Sequence, residues 1–176
     1  FSDISTTPST PAQIDSLFSS TYPGLNNYWQ TVSYNNINID GTTTASGWVN
    51  LPQPRSYYVG TGNPNIMLDR LTNDCIGANS GIVFADYVGI NMMFNGNLDC
   101  CAWGGSYYLP GTNQVFRMTW LPTWSQHYDV IGHEMGHGFD FPHSSGPLDS
   151  PPSYVYVSAW DVMSKAGGTC AVTSNA

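Results

Sequence analysis

The sequence predicts a single α+β domain arranged around one long helix near its C-terminal third. Three observations predict it. Segments rich in aromatic and β-branched residues, closed by Gly, Pro or Asn, recur between residues 28 and 121 and read as strands. Stretches at 11–19, 65–76 and 123–138 instead carry apolar residues at helical spacing. The last of these runs into His133-Glu134-Met135-Gly136-His137-Gly138-Phe139-Asp140-Phe141-Pro142-His143, which holds three of the chain's 4 histidines and its only glutamate. At 176 residues the chain is long enough for one domain with a real core. No repeat or linker divides it, so residues 1–143 read as an upper lobe and 144–176 as a smaller lower lobe around a cleft.

Residues 1–10, rich in Ser, Thr and Pro, read as an irregular arm. Thr10 as N-cap and Pro11 at the first helical position open a short helix over 11–19, with Ile14, Leu17 and Phe18 on one face; Tyr22-Pro23-Gly24 closes it. Partial alternation predicts a first strand over 28–39, turning at Asp40-Gly41. A second strand over 47–51 is broken by Pro52 and Pro54. Ile66, Leu68, Leu71 and Ile76, following Pro64, predict a helix over 65–76 that packs on the sheet. The apolar run 87–94 ends at Asn95-Gly96 and reads as a buried strand. Residues 102–109, aromatic and glycine-rich, read as an edge strand, and 115–121 as a further strand stopped by Pro122. Thr123 with Gln126 three residues on suggests a capping box for the long helix, which runs to Gly138. Tyr128, Ile131 and Met135 form its apolar stripe, Gly136 allows close packing, and Gly138 takes the C′ role. Beyond His143, Gly146-Pro147 and Pro151-Pro152 mark loops, and only 154–157 reads as strand.

Charged residues make up 9% of the chain, against about a quarter in an average protein. The surface must therefore be built from Ser, Thr, Asn, Gln, Gly and Tyr, as is common on secreted proteins. Four Lys+Arg against 12 Asp+Glu give a net charge of −8, which argues against nucleic acid or anionic membrane as a partner. The start at Phe1, with no Met or basic leader, reads as a mature, secreted product; the chain is also expected to be a monomer. In an exported chain, Cys75, Cys100, Cys101 and Cys170 read as two disulfides. The ring formed by adjacent cysteines is strained, so Cys100 and Cys101 are expected to pair with Cys75 and Cys170 in either of two ways. Asn, Asp and Gly cluster at 63–74 and 95–99 and are candidate Ca²⁺ ligands, though ordinary turns account for them more simply.

The motif carries the chemistry. His133 and His137, at i and i+4, share one helix face about one turn apart, the geometry needed to bind one zinc ion from one helix. Glu134 between them lies where it can take a proton from water. His143 completes the set if the chain reverses sharply after the helix. His127, six residues before His133, falls on a different face and reads as structural. Asp140 is a rival third ligand, less favoured because it lies only three residues after His137.

This pattern resembles the metzincin clan of zinc endopeptidases, in which HExxHxxGxxH is followed by a methionine-bearing turn. His133, Glu134, His137 and His143 match in spacing, and Met163 within Trp160-Asp161-Val162-Met163-Ser164 matches the turn. With Tyr28-Trp29-Gln30, Val32-Ser33-Tyr34 and the Asn-Gly turn after Phe94, the likeness extends over 28–164 and looks like the gametolysin and immune-inhibitor-A-like groups. The resemblance implies a zincin fold: a mixed twisted sheet with an antiparallel edge strand above the cleft, a zinc helix at its floor and a small irregular C-terminal lobe. It implies hydrolysis of a protein or peptide substrate, with Glu134 as general base and acid and the substrate paired along residues 103–108. It departs from the family at Asp140, which stands where the clan has Gly; Asp tolerates positive φ better than most residues. It departs again at Lys165, where some members have a Tyr that assists the oxyanion. Tyr154 or Tyr156 would have to supply such a phenol. The competing function is a catalytically silent, zinc-stabilised adhesion or binding module.

Overall fold

The computed structural model describes residues 1–42, 47–61, 66–144, 158 and 161–164. Among these the chain is α+β. Helices α1 (Pro11–Leu17), α2 (Leu25–Val32), α3 (Arg55–Tyr58) and α4 (Leu68–Ala78) precede strands β1 (Gly89–Met93), β2 (Trp103–Leu109) and β3 (Gln114–Leu121), and α5 (Tyr128–Gly138) follows them. The sheet is small and mixed. Its order is β1-β3-β2, with β1 parallel and β2 antiparallel to the central β3.

Alternation along β3 divides the core in two. Phe116, Met118 and Trp120 point to one face, where they join Phe1, Leu51, Tyr58, Leu71, Met92 and Phe94. The Trp120 indole donates to Thr72 Oγ1 of α4 at 2.9 Å, so this ring satisfies its polar atom while fully buried. The intervening residues face α5. Leu121 packs with Val130, Ile131 and Met135, and Gly104, opposite Thr119 in the register, lies against the backbone of Glu134. A parallel strand buried on both faces needs helices on both sides, and α4 and α5 provide them.

The strands at 87–94, 102–109 and 115–121 and the helix at 11–19 form where the residue pattern places them, except that β1 is a half-buried edge strand with only Met92 buried, not a buried strand. Thr10 caps α1 reciprocally with Gln13. Several expectations are corrected. Residues 28–39 are not a strand. Leu25 and Trp29, one turn apart, are buried along α2, and left-handed Tyr34 (φ 54°) and Asn35 (φ 63°) then turn the chain back. Trp29 packs on the end of α5, edge to face with Phe139 at 5.0 Å, and Tyr28 joins the same cluster, whereas Tyr34 is exposed. Residues 47–51 form no strand either. Trp48 donates to Ser9 O at 2.7 Å and Leu51 enters the core as irregular chain. The second helix starts at Leu68 rather than 65, because Ile66 is engaged in a bridge with Val59. The strand expected at 154–157, with Tyr154 and Tyr156, lies outside the described residues, as do Trp160, Lys165 and Cys170. No helix among the described residues is long and apolar enough to cross a membrane.

The start of α5 is also corrected. The Thr123–Gln126 capping box does not form. Thr123 Oγ1 donates to Asn97 Oδ1 at 3.1 Å, and the Gln126 amide donates to Phe94 O at 2.7 Å. Thr123–Ser125 is a 3-10 turn, and His127 is the N-cap of a helix that begins at Tyr128. The His127 ring hydrogen-bonds the carboxylate of Asp129, an acidic group in the first turn where the helix dipole favours it. That bond holds the His127 pKa up. Burial raises the Asp129 carboxyl, but the hydrogen bond and charge of His127 outweigh it and hold the carboxyl down.

The stability due to a raised His is present below its unfolded pKa of about 6.5 and is lost as pH rises through the folded value; that due to a depressed Asp is present above about 3.9 and is lost as pH falls through the folded value. Both are present together between about pH 4 and pH 6.5. The His127 side chain is 50% exposed, so the pair contributes on the order of 1 kcal/mol at most. Asp129→Asn should therefore lower the urea-unfolding free energy more at about pH 5.5 than at about pH 8.5. An equal loss at both would show that charge plays no part in the pair.

Candidate metal centre

Two close approaches seat the motif helix. A Cβ on Gly104 of β2 would fall 2.0 Å from the Glu134 carbonyl oxygen, and one on Gly136 would fall 2.2 Å from Met163 Sδ. The sheet thus presses on α5 at Glu134, and the turn containing Met163 presses on it at Gly136, between the two helical histidines. Met163 and Val162 are buried with Ile131 and Met135. The Met163 turn is held by its own backbone, with Met163 N–H donating to Asp161 Oδ1 at 2.8 Å and Ser144 N–H donating to Met163 O at 3.0 Å.

The structure brings His133, His137 and His143 together, with their Nε2 atoms 3.1–3.2 Å apart in all three pairs. His133 Nδ1 lies 2.6 Å from Val162 O and His137 Nδ1 lies 2.9 Å from Phe141 O. A carbonyl can only accept, so each Nδ1 carries the proton and each Nε2 presents a lone pair. Neither Nε2 can then donate to the other, and their 3.2 Å approach calls for an electrophile between them, which a shared cation would supply. Three nitrogens about 2.0–2.1 Å from a tetrahedral zinc would stand about 3.4 Å apart, close to the observed triangle. Ring nitrogens with carbonyl partners behind them are also the usual outer arrangement of metal-binding histidines. Burial first, then the neighbouring rings, holds the His133 imidazole below its ordinary pKa, and burial does the same for His143. Both are therefore neutral at pH 7, as ligands must be. The group could hold a metal ion and is compatible with zinc; three imidazoles do not by themselves distinguish zinc from other first-row divalent ions.

Glu134, next to His133, is buried, and burial alone pushes its carboxyl up to about 7. His127 stays outside the cluster. Asp140, the rival ligand, also stays outside: its carboxylate accepts from Arg117 and from Ser106 Oγ. It does adopt the left-handed conformation, with φ 66°. The helix end is corrected accordingly. Gly138 is still helical, and Asp140 is the C′ residue of a Schellman motif in which Asp140 N–H donates to His137 O and Phe141 N–H to Gly136 O. The side chains of Arg117 and Ser106 and the carbonyls of Val162 and Phe141 were not singled out by residue pattern. Carbonyls leave no signal in a sequence, and Arg117 lies 23 residues from its partner.

The disulfide pairing is corrected too. Cys100 and Cys101 are bonded to each other, Sγ to Sγ 2.05 Å, just ahead of β2. Neighbouring side chains need no long-range approach, whereas α4 holds Cys75 in the core, where burial pushes its thiol up to about 11. Cys75 has no disulfide partner among the described residues. The Asn95 to Asp99 side chains are engaged elsewhere: Asn95 binds the Phe1 ammonium, and Asp99 accepts from the Trp103 indole at 3.1 Å. Among the described residues the histidine trio is the one convergent group of three or more His, Cys, Asp or Glu. No family model, no curated protein and no solved structure matches this chain.

Proposed function

We propose that the chain is a secreted zinc endopeptidase of metzincin type, with His133, His137 and His143 as metal ligands and Glu134 as general base and acid. One observation carries this reading: three imidazole Nε2 atoms meet within 3.2 Å, and two of them are fixed as lone-pair donors by carbonyls behind their rings. The zincin fold is supported by the placement of α5 beneath a mixed sheet with antiparallel β2 at its edge, and by Met163 packed on Gly136. Zinc supplies Lewis acidity when bound, polarising a substrate carbonyl and acidifying water. Glu134 takes a proton from the attacking water at a carboxylate oxygen and returns it to the departing amine nitrogen. The outer edge of β2 offers backbone groups with which an extended substrate would pair. The low charge of the chain supports the secreted reading, and a protein or peptide is the partner it expects.

The test is casein hydrolysis by the purified protein before chelation, after it, and after zinc is restored. Chelation should abolish hydrolysis and stoichiometric zinc should restore it. Alanine at 133, 137 or 143 should weaken zinc binding by more than the ~10–100-fold that loss of an outer partner costs. A protein that binds zinc stoichiometrically through these rings without cleaving casein or a peptide library would be a silent zinc-stabilised module instead. A protein that binds no zinc would remove the metal reading altogether.

A further inference from the structure

The residue that departs from the clan pattern has a purpose of its own. Asp140 occupies the left-handed C′ position, and its carboxylate spans to the sheet. Oδ1 accepts from Ser106 Oγ at 3.2 Å, Oδ2 accepts from Arg117 Nη1, and Arg117 Nη1 also reaches Ser106 Oγ at 3.1 Å. Ser106 and Arg117 are direct partners in the β2–β3 register. One side chain therefore ties the turn that leaves α5 to both strands at once. The same turn carries the metal ligands. Phe141 O orients the His137 ring, and His143 follows two residues later.

We infer that Asp140 is a positioning residue for the metal centre, acting through a latch on Arg117 and Ser106 that fixes the turn from α5 to His143. A glycine here would satisfy the backbone but remove the turn's tie to the sheet through Arg117 and Ser106. The latch rests on the metal-site reading above, and it adds a requirement for residues outside the motif, on the sheet. Arg117 and Asp140 are exposed, with side chains 41% and 66% accessible. The pair should therefore contribute little to global stability while still confining the geometry of its neighbours.

The experiment measures cobalt(II) affinity by chelator competition, the visible spectrum of the cobalt protein, and the urea midpoint. It compares wild type, Arg117→Met, Asp140→Asn, Asp140→Gly and the Arg117→Met/Asp140→Asn pair. Asn and Gly both tolerate positive φ, so the turn survives in each variant. Each single variant should lose about 10–100-fold in cobalt affinity, the range seen for outer partners of metal ligands. The cobalt spectrum should shift, and the urea midpoint should stay near wild type. The double variant should lose no more than either single variant, because the two side chains act as one device. Wild-type affinity in Asp140→Gly would overturn the latch, as would additive losses in the double variant or a loss matched by a fall in the urea midpoint. Wild-type protein that binds no cobalt would instead overturn the metal site itself, so the two failures are distinguishable.

Discussion

Glu134→Gln is expected to lower peptide hydrolysis by about 10²–10⁴-fold, the contribution of a positioned proton carrier, while zinc stays bound with wild-type stoichiometry. The amide keeps the shape of the carboxyl but can neither take a proton from water nor return one to an amine. It should cost little in the fold. Burial already pushes the Glu134 carboxyl up to about 7, so the site is inhospitable to charge and accepts a neutral group. The helix around it is held by apolar contacts of Val130, Ile131 and Met135, none of which involves the carboxyl. Three measurements on one sample separate the alternatives: hydrolysis of a fluorogenic peptide, bound zinc after gel filtration, and the urea midpoint. Undiminished hydrolysis would place the proton carrier elsewhere and refute the role. Hydrolysis lost together with zinc or with stability would make Glu134 structural.

The parts of the molecule legible from residue order are those governed by short-range periodicity. Ile90, Met92, Phe116, Met118 and Trp120 sit in strands because apolar residues recur there with turn signals at both ends. His133 and His137 share a helix face because a spacing of four puts them there. The failures have a common origin in tertiary partners. Residues 28–32 are aromatic enough for a strand, but Trp29 finds its place against Phe139 and close to Gly136, and this packing decides for helix. Thr123 and Gln126 have the spacing of a capping box, yet each finds a partner outside the helix, in Asn97 and in the carbonyls of Phe94 and Leu121. His127 takes the cap, although nothing in the local pattern favours it over Thr123. Positive φ at Asp140 was legible from residue type. The reason it carries a carboxylate was not, because Arg117 and Ser106 reach it only after β2 and β3 pair.

Gly104→Ala is expected to destabilise the protein by about 3 kcal/mol, at the upper end of overpacking costs, and to weaken zinc binding with it. The added methyl would meet the carbonyl oxygen, carbonyl carbon and Cα of Glu134 at 2.0, 2.6 and 2.7 Å. All three are backbone atoms of a helix, so no rotamer change relieves the clash. At Gly136, by contrast, the obstacle is the end of a flexible side chain, Met163, which can swing aside. The helix α5 must therefore move away from β2, or β2 must leave β3. The first option drives α5 toward the rigid ring of Trp29, which is buried against its other side. The second breaks a ladder that runs from Trp103 to Leu109. Either movement shifts His133 and His137 relative to His143, whose turn is anchored separately to β2 and β3, so the Nε2 triangle opens. Gly105→Ala is the matched control. Its Cβ would meet nothing within 4 Å, and alanine in a strand costs no more than glycine, so the change should fall within about 0.5 kcal/mol of wild type. Urea unfolding and zinc competition on the two variants compare adjacent positions of one strand, identical in the chemistry of the change and opposite in the face they address. If Gly104→Ala proved as mild as Gly105→Ala, the seating of the motif helix on the edge strand would be looser than the contact distances require, and the sheet could not be what fixes the orientation of Glu134.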